Sequence, residues 1–182
     1  MLPAPFNSFP CLYLGKEDPK RTGNDYVAFI SPTHLLVAAT ELLEAGFHLE
    51  DISGLDTIEG AMFVYHFDHF DTPGRITICI IMPHESPSVP SIAGIYSGAE
   101  WHERETKDFF GYSFTNIPNA NPLLIDHTMT EILPLRKAPE KRKSLCALFN
   151  TADQDVLFCH SSFTIMTCPA QSEDKPKSDS QG

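Results

Sequence analysis

The 182-residue chain has a single tryptophan, Trp101, and no CxxC pair among its five cysteines. Those cysteines (Cys11, Cys79, Cys146, Cys159 and Cys168) are odd in number and widely spaced. A ferredoxin-type cluster needs a run of close thiolates and a zinc ribbon needs paired ones, so neither is expected. The pattern reads as reduced thiols without a shared site. An apolar run of about 18 residues, the least that reads as a membrane-spanning helix, is also missing. The N-terminus lacks a basic stretch followed by an apolar block, so no signal peptide is expected, and any membrane contact is expected to come through partners. Positive charge is scarce, with 13 Lys and Arg against 24 Asp and Glu and a formal net charge of −11. That balance argues against nucleic-acid binding and against electrostatic docking on anionic lipid.

What is present fits one α+β domain, a small mostly antiparallel or mixed sheet packed with helices and flanked by extended N- and C-terminal arms. Residues 1–25 read as an irregular arm with room for one short strand, tacked down by Phe6, Phe9, Leu12 and Tyr13. Ser31-Pro32 opens a helix that Gly46 closes, with Leu35, Ala39, Leu42 and Leu43 at core spacing. A strand is expected within residues 48–58. Ala61–Phe67 and Arg75–Met82 follow as an antiparallel hairpin around Asp71-Thr72-Pro73-Gly74. Both faces of that hairpin are apolar. The helix at 32–45 is expected to cover one, and the helix at 98–110, or a partner protein, the other. His66 and His69 point to opposite faces of a strand, which makes them weak metal ligands. Glu140–Phe149 reads as a helix, and Asp155–Phe158 and Phe163–Met166 as short strands. The domain proper is set at 26–137, with an extension at 138–170 and a disordered tail at 171–182.

The most informative stretch is Glu100–Gly111, which carries six formal charges, the tryptophan and a Phe pair in twelve positions. Glu100 to Arg104 and Glu103 to Lys107 are i,i+4 pairs with the acid on the favourable N-terminal side. Ser97 and Glu100 have capping-box spacing, and Gly111 stands where a left-handed C-cap belongs. Trp101, Glu105, Asp108 and Tyr112 share a face, and Arg104 is expected to fork between Glu100 and Asp108. Such a helix reads as a solvated charged face, as an acid–base site, or as a docking surface. No nucleophile, metal cluster or phosphate-cradling glycine loop accompanies it, so no catalytic, cofactor-binding or metal residue is assigned.

Glu103-Arg104-Glu105-x-x-Asp108-Phe109-Phe110-Gly111 resembles the signature of the 30 kDa subunit of respiratory complex I, a domain shared with membrane-bound energy-converting nickel–iron hydrogenases. The likeness runs from Pro32 to Lys137 and includes Val89-Pro90-Ser91, Ala99-Glu100-Trp101 and Leu135-Arg136-Lys137. It implies a subunit without a cofactor of its own, an oxidoreductase component that is not catalytic alone, on the cytoplasmic face of the membrane. Its partners would be the large subunit (the quinone-site 49 kDa type or the nickel–iron type) and neighbouring iron–sulfur subunits. Trp101, Glu103, Arg104, Glu105, Asp108, Phe109 and Phe110 would form the interface, the charged members as a partly buried ion network. One departure stands out. Where complex I subunits carry Gly-His-Pro-Asp-Leu-Arg, this chain has Asn116-Ile117-Pro118-Asn119-Ala120-Asn121, which points toward a hydrogenase-type relative as the alternative. A free-standing binding module or acid–base enzyme are further alternatives.

Overall fold

The computed structural model describes residues 4–72, 74–126, 128, 131–149 and 155–163. Strand β1 (Tyr13–Lys16) runs into a short helix α1 (Pro19–Thr22), which Asp18 caps by accepting the Lys20 N–H at 3.0 Å. Strand β2 (Tyr26–Phe29) pairs antiparallel with β1. Ser31 then caps a 3-10 turn (Pro32–His34) that leads into α2 (Leu35–Glu44). Leu35, Ala39 and Leu42 are buried as expected, but Leu43 is 46% exposed and Ala38 takes the core position. Gly46, at φ 89°, reverses the chain into β3 (Phe47–Asp56). Strands β4 (Ala61–His69) and β5 (Ile76–Met82) complete an antiparallel meander. Next come β6 (Ser88–Pro90), α3 (Ala99–Phe110) and β7 (Ser113–Thr115), with β6 and β7 paired in parallel. A four-residue helix α4 (Leu145–Leu148) and β8 (Asp155–Cys159) end the described chain.

The main sheet has the order β3-β4-β5-β2-β1-β8, antiparallel except for β2 against β5. Its period-two alternation sorts side chains onto two faces. Phe63, Tyr65 and Phe67 share the first face with Ile76, Ile78, Ile80, Ala28 and Leu14. All are buried in one cluster with α2, α3, Phe6 and Phe9. Met62, Cys79, Phe29, Val27 and Tyr13 share the second face, under Leu145, Phe149 and Phe163.

This corrects the expected arrangement of the helices. Both α2 and α3 lie on the first face, because its aromatic stripe is long enough to bury the apolar side of each. The second face is closed by the C-terminal segment. That segment is not the helix expected over 140–149. It forms a 3-10 turn (Pro139–Lys141) and α4, interrupted where Lys143 bridges to Thr57 and Arg142 is extended. Phe163 is buried, whereas residues 164–166 and the tail from 171 lie outside the described residues. The segment at 1–25 contributes β1 to the sheet and Phe6 and Phe9 to the core. Cys11, Cys79 and Cys159 are free, but Cys146 is disulfide-bonded, which departs from the expectation of reduced thiols throughout.

Candidate functional site

Helix α3 presents three sides. The inner one carries Ala99, Glu103, Thr106 and Phe110, spaced to face the sheet, and all are buried. Thr106 donates its hydroxyl to the Ile52 carbonyl of β3 at 3.2 Å. Gly54 of the same strand lets the helix end come close. A methyl there would meet Phe110 Cδ2 at 2.8 Å and Tyr112 Cε2 at 2.9 Å. Glu103 is fully buried. Its carboxylate accepts the Ser91 hydroxyl at 2.6 Å and the Ile92 N–H at 2.8 Å. Burial pushes its pKa up, and those two hydrogen bonds oppose the shift. Glu103 therefore braces the Val-Pro-Ser loop from inside the fold, with no cation in contact among the described residues.

The second side holds a loop. Arg104 donates from Nε to the Asn121 carbonyl at 2.9 Å and from Nη2 to the Pro122 carbonyl at 3.1 Å. Lys107 donates to the Ala120 carbonyl. Asp108, buried at 3% exposure, accepts from the backbone N–H groups of Leu123, Leu124 and Ile125 through one oxygen. So Arg104 does not fork to Asp108. It keeps only Glu100, at 3.6 Å, and spends its other donors on carbonyls. The i,i+4 spacing allows the fork, but a nearby irregular segment with unpaired peptide groups takes both partners. The clamped residues begin at Ala120 and Asn121, the last two of the stretch that departs from Gly-His-Pro-Asp-Leu-Arg.

The third side faces outward. Trp101, Glu105 and Phe109 follow one another at i,i+4 spacing, with Trp101 63% exposed and the other two half-buried. A cleft of about 160 Å³ separates this side from edge strand β3, lined by Ser53, Gly54, Glu105, Phe109 and Leu135. His102 bridges to Asp51 at 3.1 Å along the same edge. Leu124 and Leu135 are 58% and 50% exposed on the segments attached to α3. Of the seven residues singled out from sequence, Trp101, Glu105 and Phe109 come together on this surface. Arg104 and Asp108 shape its border, and Glu103 and Phe110 turn inward. The helix start also differs from expectation. Gly98 is the N-cap and Ser97 makes no capping bond, whereas Gly111 closes the helix at φ 71° as its position implied.

Sequence reasoning misses a second polar cluster. Asp56, 1% exposed, accepts the Tyr112 hydroxyl at 3.1 Å and the Lys137 N–H at 2.7 Å, with His84 Nδ1 at 3.6 Å. Burial and the Asp56 charge push the Tyr112 phenol well above its ordinary range. The adjacent Tyr in Gly111-Tyr112 is the available signal, but its partner lies 56 residues away. His66 and His69 are committed elsewhere. His66 Nδ1 meets the Thr77 hydroxyl at 3.0 Å, and His69 Nδ1 accepts the turn N–H groups of Asp71 and Thr72. Among the described residues, no group of three or more His, Cys, Asp or Glu is placed to hold a metal ion, and no helix is long and apolar enough to cross a membrane.

A family model described as respiratory-chain NADH dehydrogenase, 30 Kd subunit, matches residues 28–144. The C subunit of the F(420)H(2) dehydrogenase of Methanosarcina mazei is 35% identical over 92 residues, which are 50% of this chain and 58% of that protein. The C subunit of the NADH-quinone oxidoreductase of Roseiflexus sp. (strain RS-1) is 35% identical over 119 residues, 63% of this chain and 66% of that protein. The Roseiflexus castenholzii protein of the same name is 34% identical over 125 residues, 66% and 70% of the two chains. The chain thus spans only 58% to 66% of the first two relatives. Two solved structures share the fold. One is a trypsin-resistant fragment of Nqo5, with TM-score 0.52 and 23% identity over 59% of this chain and 89% of that one. The other is from a membrane-bound sulfane sulfur reductase, an archaeal respiratory membrane complex, with TM-score 0.61 and 19% identity over 90% of each chain. Because the family model matches more than half of the sequence, residues 28–144, the chain belongs to the family of the 30 kDa subunit of respiratory-chain NADH dehydrogenase.

Proposed function

We propose that this chain is a non-catalytic subunit of the peripheral arm of a membrane-bound, complex-I-like redox assembly. There it supports the large subunit and its iron–sulfur neighbours on the cytoplasmic face of the membrane. The outer side of α3 is the contact surface, with Trp101 as the aromatic anchor and Glu105 and Phe109 beside it. Arg104 and Asp108 act from behind, by fixing the loop that borders the surface, and Glu103 and Phe110 by seating the helix.

The observation that carries this reading is the division of labour on α3. Its buried and flanking charges are already engaged within the chain, while its tryptophan is left 63% exposed. Relatives at the same 35% identity are named for different reductants, F(420)H(2) and NADH. A subunit whose sequence does not follow the electron donor is one that carries structure rather than redox chemistry.

The test is affinity purification from detergent-solubilised native membranes, comparing the unchanged chain with Trp101→Asp and Glu105→Ala. The unchanged chain should bring down a large subunit and iron–sulfur subunits, and both variants should bring down less. Recovery of the unchanged chain alone would overturn the reading. So would normal assembly of Glu105→Ala with lost turnover, which would move this carboxylate into the chemistry.

A further inference from the structure

In a chain this acidic, the segment Arg136–Lys143 is an exception. Arg136, Lys137, Lys141, Arg142 and Lys143 put five of the 13 basic residues into eight positions, with Glu140 the one acid among them. The backbone of this strap is firmly held. Lys137 N–H donates to Asp56 at 2.7 Å, the Lys143 carbonyl accepts from Ile58 at 3.0 Å, and Leu145 N–H donates to Glu59 at 3.0 Å.

The lysine side chains, by contrast, make no polar contact among the described residues. None of the five is ion-paired among the described residues, and only Arg136 makes a side-chain hydrogen bond, to the His84 carbonyl at 3.0 Å. Arg142 is half-buried, and its Nε has no acceptor among the described residues. Exposed apolar side chains flank the strap, with Ile132 and Leu135 each 50% exposed before it and Leu148 37% exposed after it.

We propose that Arg136–Lys143 is a docking strap for an acidic segment of a partner polypeptide that also carries large apolar anchors. The strap adjoins the outer side of α3 through Leu135 but takes none of its residues from that helix. Charge geometry favours a peptide over a bilayer. All but one of the 24 acidic residues lie outside the strap and the formal net charge is −11, so an extended anionic surface meets net repulsion from the chain as a whole. A narrow segment meets the strap alone, because screening confines exposed charges to a range of about 8 Å at physiological salt.

The experiment is fluorescence anisotropy on the purified full chain with a labelled peptide of alternating Glu and Leu. A Gln/Leu peptide of equal length and phosphatidylglycerol vesicles serve as the other probes. The Glu/Leu peptide should bind, weaken as salt rises, and lose about tenfold in affinity with Lys137→Gln/Lys141→Gln/Lys143→Gln, as expected for three exposed charge pairs. Because these lysine side chains have no partners among the described residues, the triple variant should keep its fold by circular dichroism, and Arg142→Gln alone should weaken the same peptide. Equal binding of the Gln/Leu peptide overturns the proposal. So does binding indifferent to the triple variant, and so does strap-dependent binding of the vesicles in place of the peptide.

Discussion

On one face of the six-stranded sheet, Phe63, Tyr65 and Phe67 lie beneath α2 and α3; on the other, Met62, Cys79 and Phe29 lie beneath Leu145, Phe149 and Phe163. The first cover is helical, so its peptide groups are satisfied within each helix except at the ends. The second cover is mostly irregular, and an irregular segment laid over a core must find acceptors for its N–H groups elsewhere. Here a carboxylate supplies one: Glu59 accepts the Leu145 N–H, as Asp56 does for Lys137 on the other side of the sheet. The same device recurs where Asp108 holds residues 123–125 and Glu103 holds Ile92. Part of the acidic excess in this chain is therefore internal scaffolding for backbone that is neither helix nor strand.

The contrast can be broken most directly by removing one large side chain from each face. Phe63→Ala should cost about 4 kcal/mol and Leu145→Ala about 3 kcal/mol in denaturant unfolding. Amide exchange should separate them, with the first change loosening the whole sheet and the second only the segment around α4 and β8. Equal, global loosening by both would mean that the two covers fold as one unit.

Asp108→Ala strands three N–H groups at once and should cost about 3 kcal/mol, with Asp108→Asn recovering part of the loss through its remaining carbonyl. A stability change within experimental error would show that loop 119–125 does not depend on this carboxylate.

Glu103 sharpens the contrast through pH. Its folded pKa is raised above the ordinary 4.5, chiefly by burial. Between the unfolded and folded values, the unfolded chain releases the proton first, so stability should fall as pH rises through that window. Glu103→Gln should flatten that slope and be more stable than the parent above it. A parent-minus-variant stability difference that rises with pH there would overturn the assignment. The smallest effect belongs to Trp101→Ala, which should shift stability by under about 0.5 kcal/mol while reducing co-purification with partners.

Local patterns are legible in the sequence, and partners reached across long stretches of chain are not. The meander, Ser31-Pro32 and the Gly111 stop are readable because each depends on neighbours a few residues away. Ser97 misleads because the turn from Ile92 to Tyr96 places the helix start one residue later, with Ala99 N–H bonded to the Tyr96 carbonyl. The Arg104 fork fails for the converse reason. Its true partners, Asn121 and Pro122, return to the helix by a route that no periodicity encodes. Strand β2 is hard to assign from Tyr26–Phe29, a short apolar run between Asn24-Asp25 and Ser31-Pro32, yet it proves central to the sheet. Within the candidate surface, Trp101 stands out by type, but Leu124 and Leu135 become visible only once α3 has gathered their segments.

The parallel pairing of β2 with β5 joins Tyr26 to Ile76, fifty residues apart. Closing a loop of that length costs about 3.5 kcal/mol in chain entropy before any contact rewards it, whereas the β4–β5 turn closes over a few residues. During synthesis the β1–β2 pair therefore leaves the ribosome first and must wait. Its docking edge exists only after residue 82 has emerged and the meander has formed. The β1–β2 pair thus reaches its place in the sheet only through chain made fifty residues later, and until then the apolar side carrying Ala28 and Leu14 has no helix or strand of the meander to lie against.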